Sequence, residues 1–288
     1  MHIRLAFLIG LKGRECYSAS LSLRQHGTLF LIVYLFSPGR AKKDTRAVKT
    51  IREQMINLLA STAAAWGHPL STAQLDQFAT YAAELRRWNE RVNLTAIADE
   101  PSIVTRHFLD SLRCAASWGI APRSLVDIGA GAGFPGLPLK ILRPELQLTL
   151  VESIAKKAAF LRHMVDTLGL TNVEIIIARA EAIGRNPAQR EHYDVAVARA
   201  VAELRVLAEY CLPLCRIGGR FLAPKGARIE DELQAALPAI AQLGGRLEAI
   251  EPVELPELEP RTLVVIEKIA PSPPQYPRAP GIPAKRPL

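Results

Sequence analysis

Aromatic residues make up only 6% of this 288-residue chain, and cysteines number four. Cys16, Cys114, Cys211 and Cys215 give no disulfide framework, so the chain reads as cytosolic. Cys211 and Cys215 have helical spacing, but two thiols without a nearby histidine make half a zinc site. Inside their apolar run CLPLC they are expected in the core. His68, His163 and His192 are scattered and form no metal pattern. Long apolar runs are missing too. Residues 29–36 (LFLIVYLF) fall well short of the roughly 20 that a membrane-spanning helix needs. The run starts too late for a secretory signal, and no small-x-small cleavage site follows it. Membrane association is therefore not expected, and no long exposed apolar helix demands a partner chain, so a monomer is.

What is present is a large apolar fraction, 49%, with 22% charged residues and a formal charge of +8. That composition excludes a wholly disordered chain and suffices for a substantial core. The charge is unevenly placed. Residues 1–50 carry nine Lys/Arg against two acids, and residues 271–288 carry three Lys/Arg and no acid, whereas 51–270 hold 24 basic and 26 acidic residues. The first fifty residues also contain Pro38-Gly39-Arg40 and Lys42-Lys43. They are expected to lie outside the functional fold, as an upstream-start artefact with Val48 or Met55 nearer the true beginning, or else as a tether. Without them the net charge is about +1, so pI is no argument for nucleic acid. Any attraction to RNA must come from a local patch, for which Arg87, Arg91, Lys225 and the basic tail are candidates.

Residues 51–66 read as a helix ended by Gly67-His68-Pro69. Ser71 and Gln74 have capping-box spacing, and Leu70 with Leu75 can form a hydrophobic staple. Leu75, Phe78, Ala82, Leu85, Trp88 and Val92 then mark one buried face. A third helix is expected over 101–118, opened by Pro101. From there the pattern alternates. Apolar strands at 124–128, 147–151, 173–177, 193–197 and 219–223 are separated by helices at 135–143, 154–168 and 202–215, with another at 229–243. Strands apolar on both faces and separated by helices imply a parallel sheet covered on two sides. Runs at 246–253 and 261–269 leave no room for a crossover helix and should be antiparallel, unlike a dinucleotide-binding Rossmann sheet. The expected organisation is an extension over 1–50, a helical lead over 51–120, an α/β domain over 121–270 and a Pro-rich arm over 271–288. Seven prolines in the arm exclude helix and central strand, leaving a frayed terminus or an extended strap.

The sharpest local feature is Val126-Asp127-Ile128-Gly129-Ala130-Gly131-Ala132-Gly133-Phe134-Pro135-Gly136-Leu137-Pro138. Glycines permit positive φ and close approach of a ligand to the backbone, and the helix start beyond offers unpaired N–H groups. Glu152 ends the second strand, where a carboxylate can take both hydroxyls of a ribose. Gly131-x-Gly133-x-x-Gly136 satisfies the dinucleotide fingerprint, while Gly129-x-Gly131-x-Gly133 with Asp127 fits an S-adenosylmethionine turn equally well. The antiparallel end favours the methyl donor. Ala180-Glu181 after the third strand can flank an adenine, and Arg199 follows the fourth.

Six separated motifs then carry a resemblance. Trp88-Asn89 with Asn93-Leu94-Thr95, Arg106-His107-Phe108-Leu109-Asp110-Ser111, Phe134-Pro135-Gly136-Leu137-Pro138, Ala198-Arg199-Ala200, Lys225-Gly226 and Tyr276-Pro277-Arg278 follow in order. From about residue 55 to 288 the chain resembles the bacterial small-subunit rRNA guanine-N(7) methyltransferases of the RsmG or GidB type. It departs from them in having Ala198 where a serine is usual, and in residues 1–50. The resemblance implies a class I S-adenosylmethionine-dependent methyltransferase, a Rossmann-like seven-stranded sheet with an antiparallel last pair, preceded by a helical extension. It implies 16S rRNA or the small ribosomal subunit as substrate. Cofactor contacts are expected at Asp127, Gly129, Gly131, Gly133, Phe134, Glu152, Ala180, Glu181 and Arg199. Substrate-side candidates are Arg106, His107, Lys225, Tyr276 and Arg278, with Arg199 and Lys225 as positioning groups. Arg106, His107 and Asp110 can equally brace the fold against the glycine turn. Guanine N(7) has a free in-plane lone pair, so no general base is expected, and alignment of the two reactants is what the enzyme must supply. The rival readings are an NAD-dependent oxidoreductase using the overlapping fingerprint and a non-catalytic rRNA-binding assembly protein.

Overall fold

The computed structural model describes the strands β1 (Ala6–Leu8) and β2 (Ser18–Ser20) and, from residue 45 on, every residue except 98, 119–121, 200 and 256–257. The expectations for residues 29–36, Pro38-Gly39-Arg40, Lys42-Lys43 and Cys16 lie outside the described residues. Two compact units are distinguished, Met1–Ile51 and Arg52–Leu288. In the first, β1 and β2 pair antiparallel, Ala6 opposite Ser20.

The helical lead begins with α1 (Thr45–Ala65), six residues earlier than the apolar pattern signals, and α2 (Thr72–Val92). The capping box at Ser71 is formed: its Oγ accepts from Gln74 N, and Gln74 Oε1 accepts from Ser71 N at 2.8 Å. Gln74 Nε2 also donates to Ile141 O at 2.7 Å, so one residue caps α2 and anchors it. Phe78, Ala82 and Leu85 are buried as the periodicity requires, and so is Tyr81, which lies off that stripe. The third helix is not regular. It runs as α3 (Glu100–Ile103), a π-helical turn (Val104–Leu109), α4 (Asp110–Leu112) and a 3₁₀ turn (Arg113–Ala116). The wide turn re-aims side chains within the segment.

The sheet consists of β3 (Ser124–Ile128), β4 (Gln147–Val151), β5 (Val173–Ile176), β6 (Tyr193–Val197), β7 (Cys215–Gly226), β8 (Gly245–Val253) and β9 (Arg261–Lys268), in the order β5-β4-β3-β6-β7-β9-β8. The first five run parallel, and β9 is antiparallel to both β7 and β8. Between them lie α5 (Gly136–Leu142), α6 (Ala155–Thr167), α7 (Ala180–Arg185), α8 (Leu204–Cys211) and α9 (Glu230–Gln242). The alternation expected of a sheet covered on both faces is visible residue by residue. Leu263 and Val265 enter one core with α2, α5 and α6, while Val264 and Ile266 enter the other with α8 and α9. Cys211 and Cys215 are buried in that second core. The short α7 has no counterpart in the apolar pattern. The arm after Pro271 is not wholly extended, because α10 (Ile282–Lys285) forms within it.

Candidate functional site at the carboxyl edge of the sheet

Between β3 and α5 the chain turns through Gly129, Gly131 and Gly133 at φ of 71°, 57° and 92°, a region L side chains rarely adopt. Gly133 is also closed in: a Cβ there would meet Leu137 Cδ1 at 2.5 Å and Tyr81 Oη at 2.6 Å. The Tyr81 hydroxyl donates to Ala132 O, so α2 grips the turn from outside. Two carboxylates hold it from inside. Glu152 accepts from Gly131 N at 2.9 Å and from Ile154 N at 2.8 Å. Asp127 Oδ2 accepts from Gly136 N at 2.8 Å, so the first N–H of α5 is committed within the protein rather than free for a ligand. Asp127 Oδ1 is buried with no hydrogen-bond partner among the described residues. Burial pushes the Asp127 carboxyl up to about 7.

The expected brace against the turn is a continuous network. Arg199 Nη1 donates to Asp110 Oδ2 at 2.8 Å and to Arg106 O at 3.0 Å, and Nη2 lies 3.1 Å from His107 Nδ1. A guanidinium only donates, so Nδ1 is the acceptor and the imidazole proton resides on Nε2. From there it points at Thr95 Oγ1, 2.9 Å away. Thr95 is in turn fixed by Asn89, which bonds its N at 2.9 Å and its O at 2.8 Å. Burial, then the Arg199 charge, pushes His107 down to about 3, so the ring stays neutral. It stacks on Phe134 at 4.3 Å, Tyr81 also stacks on Phe134, at 5.2 Å, and the Arg199 guanidinium lies 5.1 Å from the Phe134 ring centre. Arg261 reaches the same Asp110 oxygen at 3.0 Å. Three of the six sequence motifs thus join the glycine turn in one cluster.

Other expected site residues are placed differently. Phe134 contributes its buried ring to the stack and its N–H to Ala130 O, which makes it a brace of the turn. His107 is buried in the same way, and only Arg106 of that pair is exposed. Lys225 does not reach outward: its Nζ holds Ala202 O at 2.9 Å and Glu232 at 2.6 Å. Glu232 also accepts from Leu204 N at 2.5 Å, so the pair pins the loop that carries Arg199. Tyr276 and Arg278 are not a stacking ring and a phosphate partner on a free arm. Tyr276 is buried in the second core, and Arg278 is neutralised by the buried Glu209 at 2.7 Å. Glu181 turns its carboxylate to Gly281 N at 2.7 Å, while Ala180 stays half-buried at the start of α7. Of the basic-patch candidates, Arg87 pairs with Glu84.

Sequence reasoning missed an apolar rim. Ile154, Ile177 and Val201, each just past the end of a strand, are 49%, 44% and 41% exposed. Exposed isoleucine following a glycine turn and an acid-ended strand is the signal that could have found the first of them. Val201 Cγ2 would lie 2.7 Å from a Cβ on Gly129, so this rim borders the turn directly. Apolar walls beside a buried acceptor lacking a donor and a second carboxylate suit a ligand that is part heterocycle, part sugar and part ammonium. S-adenosylmethionine has those parts. The donor set fits it.

A family model described as "GidB: rRNA small subunit methyltransferase G" matches residues 74–259. The "Ribosomal RNA small subunit methyltransferase G" of Roseiflexus sp. (strain RS-1) is 65% identical over 233 residues, covering 81% of this chain and 100% of that protein. The protein of the same description from Chloroflexus aggregans is 58% identical over 231 residues, covering 80% and 97%. Among solved structures, cofactor-bound Rv0187 from MTB superposes with a TM-score of 0.51 at 16% identity, covering 66% of this chain and 91% of that one. That likeness concerns the fold alone.

Proposed function

The chain belongs to the family of small-subunit ribosomal RNA methyltransferases G, and from that premise we propose that it methylates N(7) of a guanine in 16S rRNA, using S-adenosylmethionine. Such a substrate implies work in the cytoplasm. The bound cofactor supplies an activated methyl group on a sulfonium. Glu152, at the end of β4, would hold the ribose hydroxyls with the lone pairs its two backbone bonds leave free. Asp127 Oδ1 would accept from the ammonium of the methionyl part, and Ile154 and Val201 would wall the heterocycle from water.

The observation that carries the reading is the commitment of the titratable groups around the turn. His107 is held neutral between Arg199 and Thr95, Asp110 faces two guanidiniums, and Lys225 is paired with Glu232. This suits a nucleophile that arrives with its own lone pair and needs only alignment. Arg199, fixed by three partners and the Phe134 ring, orients the edge of the site without moving a proton. RNA phosphates would find Lys156, Lys157 and Arg179 at the same edge, none of them ion-paired among the described residues. Arg106 is exposed as well. The test is transfer of labelled methyl from S-adenosylmethionine to naked 16S rRNA and to whole small subunits, with mapping of the modified base. Label at guanine N(7) is expected; label at a purine N(1) or a ribose overturns the assignment.

A further inference from the structure

The arm after Pro271 does more than end the chain. Two neighbouring helices each bury a carboxylate, Glu181 on α7 and Glu209 on α8, both 1% exposed. The arm supplies the donors that satisfy them. Glu209 accepts from Arg278 N at 2.7 Å and from its guanidinium at 2.7–3.1 Å. Glu181 accepts from Gly281 N at 2.7 Å, with the Tyr210 hydroxyl beside it. The docking is reciprocal. Arg185 Nε donates to Pro277 O at 2.7 Å, and Arg190 clasps Tyr276 O at 2.6 Å and Ser272 O at 2.7 Å. Pro277 packs on Gly184 so closely that a Cβ there would meet its Cγ at 2.8 Å.

These contacts converge on α7, a short element just past the carboxyl edge of the sheet. α7 has six residues and follows β5, the edge strand of the sheet. A helix so short holds its shape only through packing. The strand that leads to it is tied to the backbone of Glu152, whose N donates to Ile176 O at 3.1 Å at the end of β5. A buried carboxylate that loses its partner is strongly unfavourable, so without the arm α7 and α8 cannot keep this arrangement.

We propose that the C-terminal arm is a positioning element of the cofactor site, acting through the Glu181–Gly281 bond and the Arg278–Glu209 pair to set the α7 wall against which the adenosine end of the ligand lies. The proposal rests on the cofactor reading above. Glu181 is then a positioning residue, with its carboxylate turned to the arm.

Calorimetric binding of S-adenosylmethionine and its demethylated product to the full chain, with hydrogen exchange of residues 178–185, tests it. Arg278→Ala is expected to raise Kd at least five-fold and to speed exchange along α7. Glu181→Ala should do the same, while Glu181→Gln, whose amide oxygen still accepts from Gly281 N, stays within two-fold of the parent. Combined, Arg278→Ala and Glu181→Ala should be no worse than the stronger of the two, since both release one latch. If Arg278→Ala unfolds the chain, Arg278→Met with Glu209→Gln removes the anchor without stranding a charge. Kd within two-fold and unchanged exchange in the arm variants overturn the proposal. Fully multiplicative effects do so as well, because Glu181 would then act on the ligand directly. A parent protein that binds neither compound refutes the cofactor reading instead, and the exchange data still decide whether the arm holds α7.

Discussion

The two edges of the sheet are built from the same strands and could hardly differ more. The amino edge has a hollow, a cleft of about 370 Å³ lined by Ser124, Gln147, Thr149, Asn172, Gln189 and Tyr193 among others. Yet its polar groups largely answer one another: Asp194 accepts from Arg123 N at 2.7 Å and Ser124 N at 3.0 Å and pairs with Arg216, and the Tyr193 hydroxyl donates to Thr149 at 3.2 Å. The carboxyl edge has, among the described residues, more unfinished chemistry: positive-φ glycines, an acceptor without a donor, exposed isoleucines and unpaired cations. Volume marks where chain fails to fill space. Unsatisfied groups mark where a ligand is awaited, and in an open α/β sheet that is the carboxyl side.

Substitutions can break or sharpen this contrast. The largest effect is expected from Gly133→Val, whose side chain collides with Leu137 and Tyr81 at positive φ. A stability loss of about 3 kcal/mol in urea denaturation and loss of methylation are expected; a parent-like curve would show that the turn is not held as described. Glu152→Ala should weaken S-adenosylmethionine at least ten-fold, about 1.4 kcal/mol, by calorimetry, and unchanged affinity would remove Glu152 from the ribose role. Lys156→Glu with Arg179→Glu should weaken rRNA binding several-fold and flatten an already shallow salt dependence by about one unit for each phosphate no longer neutralised, with cofactor affinity kept. A parent-like salt slope would move the RNA face elsewhere.

A pH-dependent effect separates Asp127 from Asn. Burial raises the folded carboxyl from 3.8 to about 7, so the folded chain keeps a proton that the unfolded chain releases. That stabilisation is complete below about pH 4 and is lost as pH rises through about 7. The stability of the parent relative to Asp127→Asn should therefore decline from pH 4 to 7 and level off above it; a difference independent of pH would mean the carboxyl ionises normally. The smallest effect belongs to the other edge. Thr149→Val should leave cofactor affinity and methylation within two-fold, and a real loss there would collapse the distinction between the edges.

The central strands were legible because they are buried on both faces: 124–128, 147–151 and 193–197 begin and end where the apolar runs do. Asp127, the glycines and Glu152 were legible for a related reason, since their relation is set within one β-α-β passage. The meeting of His107, Asp110 and Arg199 spans some 90 residues of chain and a π-helical turn, and helical periodicity gives no hint of either. Tyr81 escaped notice because its partners, Phe134 and Ala132, are distant and its position is off the apolar stripe. The arm was the hardest to read. Its prolines argued against helix, yet α10 forms within it, and only the fold reveals the two acids that wait for it.

The position of β9 has a consequence for how the molecule is made. The last strand in sequence lies between β7 and β8, and β8 bonds to no other described strand. During synthesis β8 therefore emerges as an orphan edge, unable to join the sheet until Arg261–Lys268 has left the ribosome. The sheet therefore cannot close in the order in which its strands are made: β8 waits for β9.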